Sequence, residues 1–230
     1  AGDDGIDVAS SYRVDIVGNY VDGTENNGIE VSGSNDADIE DNDITGAGWD
    51  GINVSGGADA FIEGNTIFGT DGSIGFSWFG PFSIDGQNGA GRDGIHVEDN
   101  ANVVITDNTV EGGENASFIF WSADGGMGAG RNGIHVEDSY NADITENTVA
   151  SDFSFFTSYA DATGGDGIYA SNIDFGDIRD NAVNSTGGDG IDVSNSFWVD
   201  VVGNATAFTG DDGIDMESNV FATISNNNVF

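Results

Sequence analysis

Residues 187–193 read GGDGIDV. Taken alone, the stretch fits a compact glycine-rich repeat nine residues long. Its relatives along the chain reveal a longer period. The tripeptide Asp/Asn-Gly-Ile begins at residues 4, 27, 50, 93, 132, 166, 189 and 212, with spacings of 23, 23, 43, 39, 34, 23 and 23. Three intervals exceed 23 by 20, 16 and 11 residues, so the unit has 23 residues and three copies carry insertions. GGDGIDV is then the corner and first strand of the seventh unit.

A second signal lies at a fixed offset. In every unit an aliphatic residue is followed three positions later by asparagine: Asn19, Asn42, Asn65, Asn108, Asn147, Asn181, Asn204 and Asn227. Between the two signals the pattern alternates with period two, as strands require. In GIHVED, Ile95 and Val97 point one way while His96 and Glu98 point the other. Ile16, Ile39, Ile62, Ile105, Ile144, Ile178, Val201 and Ile224 form an inward column. A smaller column runs from Val14 to Ala222, and a third from Val21 to Val229. The pattern predicts one all-β domain over residues 1–230. It is a β-solenoid of about eight coils, three strands per coil, whose core is shared only with the coils above and below. The insertions, near 68–91, 111–130 and 150–165, all leave the same corner.

Eight in-phase units of the form DGIxV…I..N.V resemble the parallel β-helix repeats of the pectate-lyase-like solenoid superfamily. The resemblance covers the chain apart from the insertions and implies a right-handed parallel β-helix with one inward asparagine per coil stacked at a corner. A buried amide is costly unless paired, and identical amides ~4.8 Å apart can pair with one another. The eight asparagines are therefore expected to be structural. Several carbohydrate enzymes share the scaffold, so their motifs must be sought residue by residue. The Asp pair of a polygalacturonase-like site occurs at Gly2-Asp3-Asp4 and Gly210-Asp211-Asp212, but neither GHG nor RIK is present. The DPH signature of alginate-epimerase-like enzymes is absent too. A pectate-lyase-like arginine base would have to be Arg92, Arg131 or Arg179. No catalytic residue is assigned, and the expectation is a protein that is not an enzyme.

Composition narrows the partners. The chain carries 41 acidic residues against four Lys and Arg, a formal net charge of −37. A surface of that sign repels nucleic acid and anionic membranes and favours cations. There is no cysteine, hence no disulfide or thiolate metal site. No apolar run reaches the length of a membrane span, and the first residues lack a signal-peptide pattern, as expected of a secreted protein in mature form.

Two near-identical stretches, GAGRDGIHVED at 89–99 and GAGRNGIHVED at 128–138, stack Arg92 on Arg131, His96 on His135 and Glu98 on Glu137. Histidines and carboxylates about 5 Å apart can ligate zinc or act as an acid–base pair. Equally, duplication of one coil explains them, with each His sharing its proton demand with a Glu. A corner column of Asp4, Asp50, Asp93, Asp166, Asp189 and Asp212, with Asn27 and Asn132, suits calcium and also suits turn formation. Like charges at the strand spacing repel by roughly 1 kcal/mol in water, which a cation relieves.

The sharper calcium candidate is at the ends. The first and last units alone read GDDGID, and ISNNNVF placed before AGDDGIDV imitates the internal joint VVGNATAFTGDDGIDM with one residue fewer. End-to-end stacking would bring Asp211, Asp212 and Asp215 beside Asp3, Asp4 and Asp7 of a neighbour, with Asp166 and Asp189 as weaker ligands. Tyr12, Arg13, Phe221 and Phe230 are the other side chains expected at that seam, Arg13 lying over Phe221 as a cation–π contact. Eight coils predict a rise of about 38 Å.

The insertions contain FSWFGPF (76–82), FIFW (118–121) and FSFF (153–156). Trp78, Phe79, Phe120, Trp121, Phe155 and Phe156 would build either a satellite core or a surface for lateral copies or glycans. Asn115 and Asn184 sit in glycosylation acceptor motifs. These features predict an extracellular or cell-surface structural protein that assembles head to tail with itself, with calcium, and with neither nucleic acid nor membrane insertion. The alternatives are a carbohydrate-binding or polysaccharide-modifying module of a secreted protein, and an adhesin stalk.

Overall fold

The computed structural model describes residues 3–68, 92–111, 131–150 and 165–230. Trp78, Phe79, Phe120, Trp121, Phe155, Phe156 and Asn115 lie outside the described residues, and with them the readings placed on the insertions. The described chain winds through eight coils, each opening at its Asp/Asn-Gly-Ile. Coil 2 shows the plan, with strands Ile29–Ser32, Asn35–Glu40 and Asp43–Ala47. Corresponding strands of successive coils pair side by side, giving three eight-stranded sheets. Every pairing is parallel and joins like to like: Ile29 with Ile52, Ile52 with Ile95, Ile95 with Ile134. Ile52 and Ile95 are 43 residues apart in sequence yet adjacent in the sheet, so the insertion leaves the register untouched.

The three apolar columns become one continuous core. Ile39, Ile62 and Ile105 of the second strands, and Ile44, Ile67 and Val110 of the third, are fully buried. β-Branched side chains suit this interior because they pack well on a pleated surface. In coil 8 the same columns surface, with Ile224 54% and Val229 55% exposed, because no described coil lies beyond them.

The glycine of Asp/Asn-Gly-Ile answers to close approach. A Cβ on Gly94 would lie 2.6 Å from the Gly133 carbonyl oxygen and 2.8 Å from Val110 Cγ1. Other turn residues answer to backbone sign. Ser10, Gly33, Gly56, Asp99, Asp138, Asn172, Asn195 and Ser218 hold one corner with φ between 50° and 63°. That region favours glycine, asparagine and aspartate, which accounts for much of the composition. A second column, Arg13, Asp36, Asp59, Asn102, Asn141, Phe175, Trp198 and Phe221, has φ between 54° and 67° inside the second strand. It drops out of the ladder, since Tyr12 pairs with Asn35 and Val14 with Ala37, and kinks the strand as a bulge does.

Candidate functional site

Two polar ladders run the length of the solenoid. In the first, the N–H and Nδ2 of Asn42 both donate to Asn65 Oδ1, at 3.0 and 2.9 Å, and Nδ2 also donates to the Ile16 carbonyl at 2.8 Å. Asn65, Asn108, Asn147, Asn181 and Asn204 repeat the pattern, while Asn19 and Asn227 end it. The second ladder uses the corner column. Asp50 N–H donates to Asn27 Oδ1, Asp93 N–H to Asp50 Oδ1, Asn132 N–H to Asp93 Oδ1 and Asp166 N–H to Asn132 Oδ1. These side chains therefore bridge coils instead of closing turns within one. One oxygen of each is committed to backbone.

The histidine pair is more elaborate than side-by-side stacking. His96 and His135 occupy the outward position of first strands Ile95–Glu98 and Ile134–Glu137, yet both are buried. Their partners lie diagonally, on the corner of the preceding coil. His135 Nδ1 is 3.1 Å from Asp93 Oδ2, and His96 Nδ1 is 3.8 Å from Asp50 Oδ2. On the other side Glu137 lies between the rings, with Oε1 3.8 Å from His96 Nε2 and Oε2 3.6 Å from His135 Nε2. Burial raises the Asp93 carboxyl, but the His135 bond, the Asn132 amide and the charges of His135 and Arg131 outweigh it and hold it below the ordinary range. Burial dominates at Asp50, whose carboxyl is raised despite the Asp93 amide and Arg92. Burial, then the His135 charge, lower His96.

Arg92 and Arg131 face this pair, at 3.6 Å from Asp50 Oδ2 and 3.9 Å from Asp93 Oδ1. A depression of about 420 Å³ opens beside them, lined by Arg92, Arg131, His135, Glu137, Asp166 and Tyr169. The arrangement can hold a cation between imidazole and carboxylate, or pass a proton through a carboxylate-oriented histidine. Arg179 takes no part: it donates to Asp177 and Asp200, at 2.6 and 2.9 Å, on the second sheet. Asp50, Asp93 and Tyr169 were invisible as site residues because a diagonal contact needs the corner geometry. The signal was present, since each histidine follows its own corner residue by three positions.

The predicted acidic ligands fall into two groups. Asp3, Asp4 and Asp7 belong to coil 1 and Asp211, Asp212 and Asp215 to coil 8, so a single chain does not bring them together. It does bring ligand oxygens of Asp189, Asp211 and Asp212 within 4.8 Å of one another. Asp192, beside Asp215 in the sheet, escaped sequence reasoning. Burial and the charges of Asp166, Asp215, Asp189 and Glu217 push its carboxyl up to about 6. Burial also raises Asp166 and Asp189. Of the seam residues, Tyr12 and Arg13 sit exposed on coil 1 and Phe221 and Phe230 on coil 8, with Arg13 Nε 3.6 Å from Asp36.

An aromatic row also emerges on the second sheet. Tyr140 meets Phe175 edge-on at 5.5 Å, Phe175 stacks on Trp198 at 6.5 Å, and Trp198 stacks on Phe221 at 4.4 Å, all exposed.

No helix among the described residues is long and apolar enough to cross a membrane. No curated protein matches the sequence. The family model of the right-handed beta helix region matches residues 1–230, the whole of the sequence. Its match agrees with three parallel eight-stranded sheets wound from 23-residue coils, and the chain belongs to the right-handed β-helix family.

Proposed function

We propose that the chain is a structural element of an extracellular or cell-surface fibre, in which the solenoid continues end to end with calcium at the seam. The opposed polarity of the two ladders carries this reading. In the asparagine ladder each coil donates to the coil after it. Asn19 Oδ1 is thus left to accept at one end and the Asn227 N–H left to donate at the other. In the aspartate ladder each coil donates to the coil before it. The Asp4 N–H and Asp212 Oδ1 are left over in the opposite sense. Each end surface presents one donor and one acceptor, and the two surfaces are complements. Apolar matching supports the same reading, since a depression of about 500 Å³ on coil 8 is lined by Ile214, Ile224 and Val229. The next coil, from a second copy or from more of the same polypeptide, would fill it. The raised carboxyls of Asp166, Asp189 and Asp192 support a cation there, because calcium relieves such repulsion with oxygen ligands.

Electron microscopy of the concentrated protein in calcium is expected to show filaments with an axial repeat of about 38 Å. They are expected to dissolve in chelator. Monodisperse monomers under those conditions would sink the proposal.

One observation favours a second reading, a glycan-binding module: the exposed row Tyr140, Phe175, Trp198 and Phe221 offers consecutive ring faces to sugar rings. Retention on immobilised polysaccharides that Trp198→Ala abolishes would support it, and no retention on any would remove it.

A further inference from the structure

We propose that His96, His135 and Glu137 form a binding site for a divalent transition metal of the zinc class, with its fourth position open to the depression beside Tyr169. The inference is independent of the fibre reading. Three observations carry it. The ligand atoms converge, all lying within 4.8 Å of one another. Glu137 bridges the two Nε2 atoms at 3.8 and 3.6 Å. Metal–ligand bonds of about 2.0–2.1 Å at tetrahedral angles require separations of about 3.3–3.4 Å, which a small closure of the Glu137 side chain supplies.

Four buried polar atoms of the cluster lack hydrogen-bond partners: Nδ1 and Nε2 of His96, Nε2 of His135 and Oδ2 of Asp50. Only seven such atoms occur among the described residues, so this one cluster holds most of them. An unpaired buried polar atom is costly, and a concentration of them marks a missing partner. His96 is 5% exposed and has neither ring nitrogen satisfied.

The surroundings are those a metal-bound histidine uses. A ligating imidazole turns its other nitrogen to a carboxylate, which fixes the ring and raises its basicity. Here Asp93 stands behind His135 at 3.1 Å and Asp50 behind His96 at 3.8 Å. Arg92 and Arg131 approach those rear carboxylates at 3.6 and 3.9 Å, which leaves Glu137 as the anionic ligand. Burial keeps His96 neutral, the form that ligates. Two imidazoles with one carboxylate suit zinc, cobalt or nickel; calcium prefers an all-oxygen shell.

The test is titration of the full chain with Zn2+ in excess Ca2+, and separately with Co2+ followed by visible absorption. One tight equivalent is expected, with the Co2+ bands of a low-coordinate site. Glu137→Gln, which alters a partly exposed side chain, and His135→Gln are each expected to lose both signals. Asp93→Asn keeps an oxygen for the Asn132 N–H and is expected to weaken binding about 10–100-fold. Thermal melts establish that each variant is folded. Weak binding of several equivalents that Ca2+ displaces, or a tight equivalent that survives Glu137→Gln in the folded protein, overturns the proposal.

Discussion

The rings of His96 and His135 stack at 4.7 Å with planes 28° apart, on neighbouring strands held in register. That contact follows directly from the repeat. In a parallel in-register solenoid, two residues at the same position of successive units become neighbours at the strand spacing, however far apart they are in sequence. Duplicating a coil therefore doubles any chemistry it carries at one place.

The asparagine ladder should be most sensitive at its centre. Asn108 donates to the Ile62 carbonyl and to Asn147 Oδ1, and accepts from Asn65. Asn108→Ala leaves buried donors and acceptors unpaired and is expected to destabilise by about 2–5 kcal/mol. Asn19→Ala, at a half-exposed end, is expected to cost about 1 kcal/mol or less. Urea unfolding midpoints decide it, and equal losses would contradict the ladder's role.

Two glycines should fail for different reasons. Gly94→Ala drives a methyl into the Gly133 carbonyl and Val110, and is expected to cost about 3 kcal/mol or more. Gly56 has φ of 63° and open space around it, so Gly56→Ala is expected to cost about 1 kcal/mol of backbone strain. Thermal melts of the two variants should therefore separate clearly, with Gly94→Ala lower.

Asp192 sets a pH dependence. Its carboxyl, raised to about 6 from an ordinary 3.8, binds a proton more tightly in the folded chain than in the unfolded. The resulting stability is fully present below the unfolded value and is lost as pH rises through about 6. Asp192→Asn is thus expected to raise stability near neutral pH by about 1 kcal/mol, discounted for partial exposure, and to give no gain near pH 4. Melting curves at the two pH values check this, and a gain at acid pH would refute it.

The aromatic row occupies strained backbone. Phe175, Trp198 and Phe221 have positive φ, a region that asparagine tolerates and that Asn102 and Asn141 occupy in the same column. Trp198→Asn is expected to relieve strain while losing the Phe221 stack, for a net change within about 1 kcal/mol. A large loss in urea unfolding would mean that the stack holds the sheet together.

Strand order, register, core columns and the asparagine ladder were legible because each is a property of one repeat position, and a column of identical residues is readable as text. The histidine site was half legible. Stacking of His96 on His135 follows from the period, but the approach of Asp93 to His135 depends on how the corner turns, which alternation does not encode. The corner aspartates were read as repelling charges or turn formers; the bridge from each Oδ1 to the next coil's amide depends on the path of the backbone. Trp198 and Phe221 were visible as a column, whereas their left-handed backbone was not, because neither residue type announces it.

The register survives insertions of 20, 16 and 11 residues at one corner, with the Asn65–Asn108 and Asn147–Asn181 bonds across them as short as those between 23-residue neighbours. That corner acts as a socket. Segments of any sequence and a wide range of lengths can be plugged in there without retuning the rest of the chain, so the solenoid can serve as a chassis on which displayed loops are exchanged one coil at a time.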